Sequence, residues 1–381
     1  MLSCQKDKFS IPADIHYLNG AYMSPMLKSV EEAGIAQIIR KRNPSDISAA
    51  DFFTQCEELR VEFSKIISDN SPDQVSIIPS VSYGIENVIK NIPLKSGDEI
   101  VVLGEQFPSN IYPWKQRCVE TGAKIITVEP PEAKNRGEIW NQRILEAINK
   151  NTRIVAMCHV HWTDGTLFRL SEISKKIHEN DGYLILDGTQ SVGAYPFDVN
   201  EIKPDALICA GYKWLLGPYS IGAAYFNERF NEGDPIEHHW LPRLNSKDFA
   251  GLVNYQDEFE PGAKRYDVGE RSNFILMAMI VESMKQINQW GVGNIQGYCQ
   301  SIAEDAVSEL PEHGYNLESR EFRGSHLFGI RLGSHDPRAV AEKLNRDNIK
   351  VSVRGSAVRV SPYVYNTSAD IEELVECLKS V

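Results

Sequence analysis

Short apolar runs alternate with stretches of helical spacing along much of the chain. Val75–Ile78, Asp98–Leu103, Lys124–Val128, Arg153–Val160, Tyr183–Leu186 and Ala206–Cys209 read as strands. Helical spacing falls at residues 28–42, with Val30, Ile35, Ile38 and Ile39 on one face, and at 51–67, with Phe52, Phe53, Leu59, Phe63 and Ile66. It recurs at Ile85–Asn91, between the strands at 124 and 153, at Leu170–Glu179 and at Phe274–Trp290. From about Val75 to Phe226 the alternation predicts a mostly parallel sheet with helices on both faces. Strands near 326–332, 349–353 and 357–361 and helices near 337–346 and 368–378 predict a smaller α+β unit. The expected division is a large α/β domain at 15–285 and a small domain built from 1–14 and 286–381.

Two strands deliver charge. Tyr183–Leu186 ends on Asp187, and the run Ala206–Cys209 leads to Lys213, 213 − 187 = 26 residues later. In open α/β sheets the carboxyl ends of the strands face the ligand crevice. Either charge is costly to bury alone. One reading is a structural ion pair. The other is a pyridoxal phosphate site, in which the amine forms a Schiff base with the aldehyde and the acid keeps the pyridine nitrogen protonated. The serine-bearing turn Pro79–Gly84 opens a helix, so its free N–H groups suit a phosphate, or Ser80 and Ser82 are plain caps.

Composition narrows the field. The 381 residues allow about two domains, and 42% hydrophobic with 24% charged residues is ordinary for a soluble globular protein. A net charge of −12 argues against a nucleic-acid partner. Seven scattered cysteines without a CxxC pair predict reduced thiols in a cytoplasmic protein and no zinc site. The opening MLSCQKDKFS lacks a secretory apolar core, and the longest apolar run, Phe274–Val281, is too short for a bilayer. Adjacent His238 and His239 do not share a helix face, and the glycines of Gly291–Gly297 have the wrong spacing for a dinucleotide loop. His159, inside an apolar run, is expected as a satisfied core histidine.

DGTQSVG at 187–193 and GYKWLLGP at 211–218 resemble the class V aminotransferase family of fold-type I pyridoxal-phosphate enzymes, which includes cysteine desulfurases, kynureninases and isopenicillin-N-epimerase-like proteins. The resemblance runs from YLNGAY near the start to VRVSPYVYN near the end. It implies Lys213 as the cofactor-bearing base and Asp187 as partner of the ring nitrogen. Val81 and Ser82 would hold the phosphate, with Tyr212 reaching it, and Gln190 would donate to the phenolic oxygen. Phe107 would cover the ring, where desulfurase-like members place a histidine. Arg359 matches the arginine that anchors the substrate carboxylate, and Arg354 is a second candidate. Trp162, Asn19 and Ala21 match substrate-lining positions. A homodimer is implied, with Arg271, Ser272 or Asn273 serving the neighbouring subunit's phosphate.

Phe107, Ala210 and Tyr212, with no cysteine between Arg354 and Arg359, point away from desulfuration. The expected activity is therefore chemistry at the α-carbon of an amino acid: transamination, epimerisation, or kynureninase-like or C–S cleavage. A cofactor-holding regulatory protein without turnover is the alternative of another class, and Arg359 tilts against it.

Overall fold

The computed structural model describes residues 2–354 and 356–381. Ahead of the main sheet come β1 (His16–Tyr17), α1 (Lys28–Arg40) and α2 (Thr54–Ile66). The sheet itself comprises β2 (Val75–Ile78), β3 (Glu99–Leu103), β4 (Lys124–Val128), β5 (Thr152–Cys158), β6 (Tyr183–Asp187), β7 (Ala206–Ala210) and β8 (Gly222–Phe226), in spatial order β2-β8-β7-β6-β5-β3-β4. All run parallel except β8, which is antiparallel to both of its neighbours. The sequence pattern does not single out β8. It returns from β7 through the short loop 211–221, a connection too brief for a parallel crossover.

Helices α3 (Val81–Asn91), α4 (Tyr112–Thr121), α5 (Arg136–Ala147), α6 (Leu170–His178) and the single-turn α7 (Val199–Ile202) link the strands. Alternation along β6 shows how both faces are covered. Tyr183 and Ile185 join Val81, Ile85, Val88 and Trp114 in one apolar cluster. Leu184 and Leu186 join Leu59, Phe63, Trp140, Ile173 and Ile280 in another. Each fully buried Leu or Ile contributes roughly 1.5–3 kcal/mol.

α8 (Phe274–Trp290) and α9 (Val292–Val307) lead into the C-terminal part: β9 (Asn316–Leu317), β10 (Phe328–Arg331), α10 (Pro337–Arg346), β11 (Ile349–Lys350), β12 (Ser352–Arg354), β13 (Ala357–Val360) and α11 (Ser368–Lys379). The antiparallel order β12-β13-β10-β9 packs Phe328, Ile330, Val358 and Val360 on Val340, Leu344, Ile371 and Leu374. Leu18 belongs to this third core, β1 pairs with β11, and Asn19 bridges Ser361. The start of the chain is thus fastened to its end, beside the main sheet. The glycines at 293 and 297 lie in the first turns of α9, so no phosphate loop forms there.

α3 begins at Val81, four residues before the expected Ile85, because the Ser80 hydroxyl accepts the Tyr83 N–H at 3.2 Å and caps the helix. Gly84 sets how closely the helix meets the sheet: a Cβ there would lie 2.7 Å from Cγ2 of Ile208. That closeness holds the N-terminus of α3 over the ends of β6 and β7.

Candidate functional site

The carboxyl ends of β5, β6 and β7 and the N-terminus of α3 surround a cavity of about 880 Å³, counting its open mouth. Val81, Phe107, Trp162, Asp187, Gln190, Tyr212 and Lys213 all line it. These residues are spread over more than a hundred positions of sequence, and parallel strand ends bring them together.

Asp187 is buried at the last position of β6. The Thr189 N–H donates to its Oδ1 at 3.0 Å, and the Thr189 hydroxyl in turn accepts the Ala210 N–H at 3.1 Å. Burial pushes the carboxyl pKa up, opposed by Thr189 and the Lys213 charge. The Lys213 ammonium lies 5.6 Å from the ring centres of both Phe107 and Tyr212. Its pKa falls to about 8, first through burial; Asp187 pulls it up, and Arg359 and Arg354 push it further down. Lys213 is thereby poised near neutrality to supply a free amine.

Phe107 meets Trp162 edge to face at 5.5 Å, and Tyr212 packs on Tyr219 at 4.6 Å. Gln190 is held at both ends, donating to the Ala21 carbonyl at 3.1 Å and accepting from the Trp214 indole at 3.0 Å. Ala21 therefore touches the site through Gln190. The Ser82 and Ser80 hydroxyls sit 3.1 Å apart at the start of α3, and Ser80 lines the cavity while Ser82 does not.

Arg359, Arg354 and Asn19 stand one contact behind the wall. Arg359 donates to the Trp162 carbonyl at 2.6 Å and to the Ser352 hydroxyl at 3.3 Å. Ser352 donates to Oδ1 of Asn19 at 2.9 Å, and the Arg354 guanidinium lies 5.8 Å from the Trp162 ring centre. Burial and then Arg354 lower the Arg359 pKa to about 10.

Thr189, Gln106, Cys158 and Tyr219 escaped the sequence reading. Thr189, two residues after Asp187, follows the Asx-turn spacing, and that signal was available. Gln106 is buried with Oε1 unpartnered. Cys158 lines the cavity, yet burial and Asp187 push its thiol far above the usual range. Of the non-glycine residues with positive φ, Ser220 (67°) lines this cavity and Glu105 (52°) immediately precedes its lining residue Gln106.

None of His159, His161 and His238 lines the cavity. His159 is buried against Tyr195 and Phe197 as expected, but it is not satisfied: Nδ1 has no partner, and burial lowers its pKa to about 3. His161 contacts Thr163 at 2.8 Å, and His238 is exposed. No cluster of potential metal ligands occurs among the described residues.

A nucleophilic amine, a buried acid whose raised pKa a cation would reverse, a helix N-terminus and flanking aromatic rings make a donor set that fits pyridoxal phosphate. Residues 40–374 match the family model described as Aminotransferase class-V. The chain belongs to the class V aminotransferases. These are pyridoxal-phosphate-dependent enzymes. Among relatives of this class V member, the uncharacterized aminotransferase YcbU of Bacillus subtilis is 25% identical over 84% of this chain and 82% of its own length. A probable cysteine desulfurase of Methanothermobacter thermautotrophicus is 26% identical over 85% of this chain and 83% of its own. The solved complex of the cystine C–S lyase C-DES with its product cysteine persulfide superposes with a TM-score of 0.84 at 19% identity, over 96% of this chain and 98% of that one. That likeness bears out the expected fold.

Proposed function

We propose that this class V aminotransferase-family enzyme moves protons at the α-carbon of an amino acid, with Lys213 as the base. The observation that carries the reading is Lys213 in the cavity opposite Asp187, its pKa lowered to about 8. Pyridoxal phosphate, when bound, supplies the aldehyde and the electron sink. Asp187 would hold the positive charge at the ring nitrogen, and the α3 N-terminus with Val81 and Ser82 would hold the phosphate. Gln190, whose amide donates to Ala21, has a second N–H to offer the phenolic oxygen. Tyr212 would help hold the phosphate, Phe107 and Trp162 would exclude water, and Arg359 would orient the substrate carboxylate. Lys213 then takes and returns the α-proton, which serves transamination or epimerisation.

A second reading is C–S cleavage, which needs no thiol on the enzyme. It is favoured by the hairpin of β12 and β13, which bears no cysteine, and by Cys158, the one thiol lining the cavity among the described residues, which burial keeps in its protonated form. The experiment is to supply the protein and cofactor with amino acids in turn and measure keto acid, ammonia, inverted isomer and sulfide. The products choose between the readings; no product from any amino acid would favour a regulatory protein.

The partner is a second copy of the chain. Ile35, Ile38 and Ile39 of α1 stay exposed, as do Leu244, Val253 and Tyr255, and apolar side chains grouped along one helix are of the kind that mark an interface. Within one copy Arg271 is held by Asp267, the Ser272 hydroxyl donates to the Phe52 carbonyl and Asn273 caps α8. Arg271 is buried within its own copy, whereas Ser272 and Asn273 line a surface cavity beside Trp240 and Phe274, which makes these two better placed to serve a neighbour's phosphate. Sedimentation at micromolar concentration tests this, with a monomer as the contrary result. All seven cysteines are free and no helix of the described residues is long and apolar enough to cross a membrane, which supports a cytoplasmic location.

A further inference from the structure

Buried and half-buried arginines in this protein mostly carry their own counter-charges; among the described residues buried Arg265, which donates to the Gly233 carbonyl at 3.1 Å, and buried Arg359 do not. Arg60 and Arg271 share Asp267, Arg136 and Arg331 share Asp164, and Arg323 pairs with Glu304. Arg359 is 2% exposed, yet it is held only by neutral oxygens, and its Nε has no partner. Arg354, half-buried beside it, also has an unpartnered Nε, and its one hydrogen bond goes to the neighbouring Val353 carbonyl at 3.3 Å. Among the described residues neither forms an ion pair.

Strand register explains why the two belong together. β12 and β13 pair Ser352 with Arg359 and Arg354 with Ala357. Residues directly opposite share a face, so Arg354 and Arg359 lie on one face as diagonal neighbours, at a spacing of about 7–8 Å between backbones. Both guanidiniums lie against Trp162, which lines the cavity. Against Lys213, Arg354 and Arg359, the cavity wall offers the single carboxylate of Asp187. Burying like charges this way is costly unless anions arrive from outside. One carboxylate would satisfy one guanidinium and leave the other uncompensated.

We propose that Arg354 and Arg359 select a dicarboxylic amino acid, Arg359 receiving the α-carboxylate and Arg354 the side-chain carboxylate. The inference rests on the α-carbon reading above and adds the substrate class. Arg354 is then a specificity residue, and a substrate with a neutral side chain forfeits its contact.

The test uses the cofactor-loaded protein. Calorimetry with glutarate and succinate, against butyrate, reads the guanidinium pair without turnover. The dicarboxylates should bind about tenfold more tightly or better, since a hydrogen bond to a charged group is worth that much. Arg354→Gln should erase the preference, and Arg354→Lys should restore part of it. Equal affinities in the parent protein, or an equal loss for butyrate and glutarate in Arg354→Gln, would overturn the proposal. Titration of the cofactor's visible band with glutamate, aspartate and alanine separates the two layers. A band that responds to alanine as readily as to both acidic amino acids overturns the specificity alone. A band silent to every amino acid, with the dicarboxylate preference intact, overturns the α-carbon reading and with it the assignment of Arg359.

Discussion

Two groups of buried arginines in this molecule are built on opposite plans. At the base of α2, Arg60 and Arg271 both reach Oδ2 of Asp267 at 2.5 Å, and the other oxygen of that acid accepts the Ile77 N–H at 2.7 Å and the Ser76 hydroxyl at 3.2 Å. This cluster ties α2, β2 and the 262–273 segment into one block. In the hairpin of β12 and β13, buried Arg359 and half-buried Arg354 have no acid partner among the described residues. The first group completes the fold, whereas the second leaves charge for a guest. Asp187 and Lys213 follow the second plan, each pushed toward its neutral form by burial.

The largest effect that sharpens the contrast is on stability. Asp267→Asn strands two buried guanidiniums and should cost about 3–5 kcal/mol in denaturant unfolding. Arg359→Met should leave the unfolding midpoint unchanged or raise it, because it removes an uncompensated charge. A destabilisation equal to that of Asp267→Asn would erase the distinction. Next in size is binding: Arg359→Gln should weaken the apparent affinity for the substrate by about a hundredfold, in line with roughly 2–5 kcal/mol for truncating a buried charge contact. Spectral titration of the bound cofactor measures it.

The third effect is a pH dependence. In the cofactor-free protein the Lys213 pKa is about 8, below its ordinary 10.5. The folded state thus holds fewer protons than the unfolded state between those values. The stability penalty is in full force below pH 8 and is relieved as pH rises toward 10.5. Lys213→Met should therefore be more stable than the parent at pH 7, with the gap closing by pH 10.5. Cofactor capture by the parent should speed up through pH 8. The smallest effect is the loss of a cap: Ser80→Ala should cost about 1 kcal/mol and weaken cofactor retention.

What could be read from the sequence follows from how local each signal is. Asp187 and Lys213 stand at the ends of apolar runs, so their delivery to a crevice is visible in a few consecutive residues. α10 matches its expected span, Pro337–Arg346, because its apolar spacing is local too. The reversal of β8 depends on which strand it meets, and no local pattern records that. The Arg359 contact with Trp162 spans 197 residues, and that of Ser352 with Asn19 spans 333. Such contacts exist only once the N-terminal segment and the loop after β5 lie beside the C-terminal hairpin. The exposed isoleucines of α1 teach the same lesson: apolar spacing predicted the helix, but not that part of its apolar face stays uncovered.

Whether Lys213 carries the cofactor, as proposed, is decided by borohydride reduction of the pyridoxal-phosphate-loaded protein followed by peptide mass spectrometry. The reduced cofactor mass is expected on the peptide containing Lys213 and should disappear in Lys213→Ala. A reduced adduct on any other lysine, or none in a protein that retains the cofactor, would contradict the proposal.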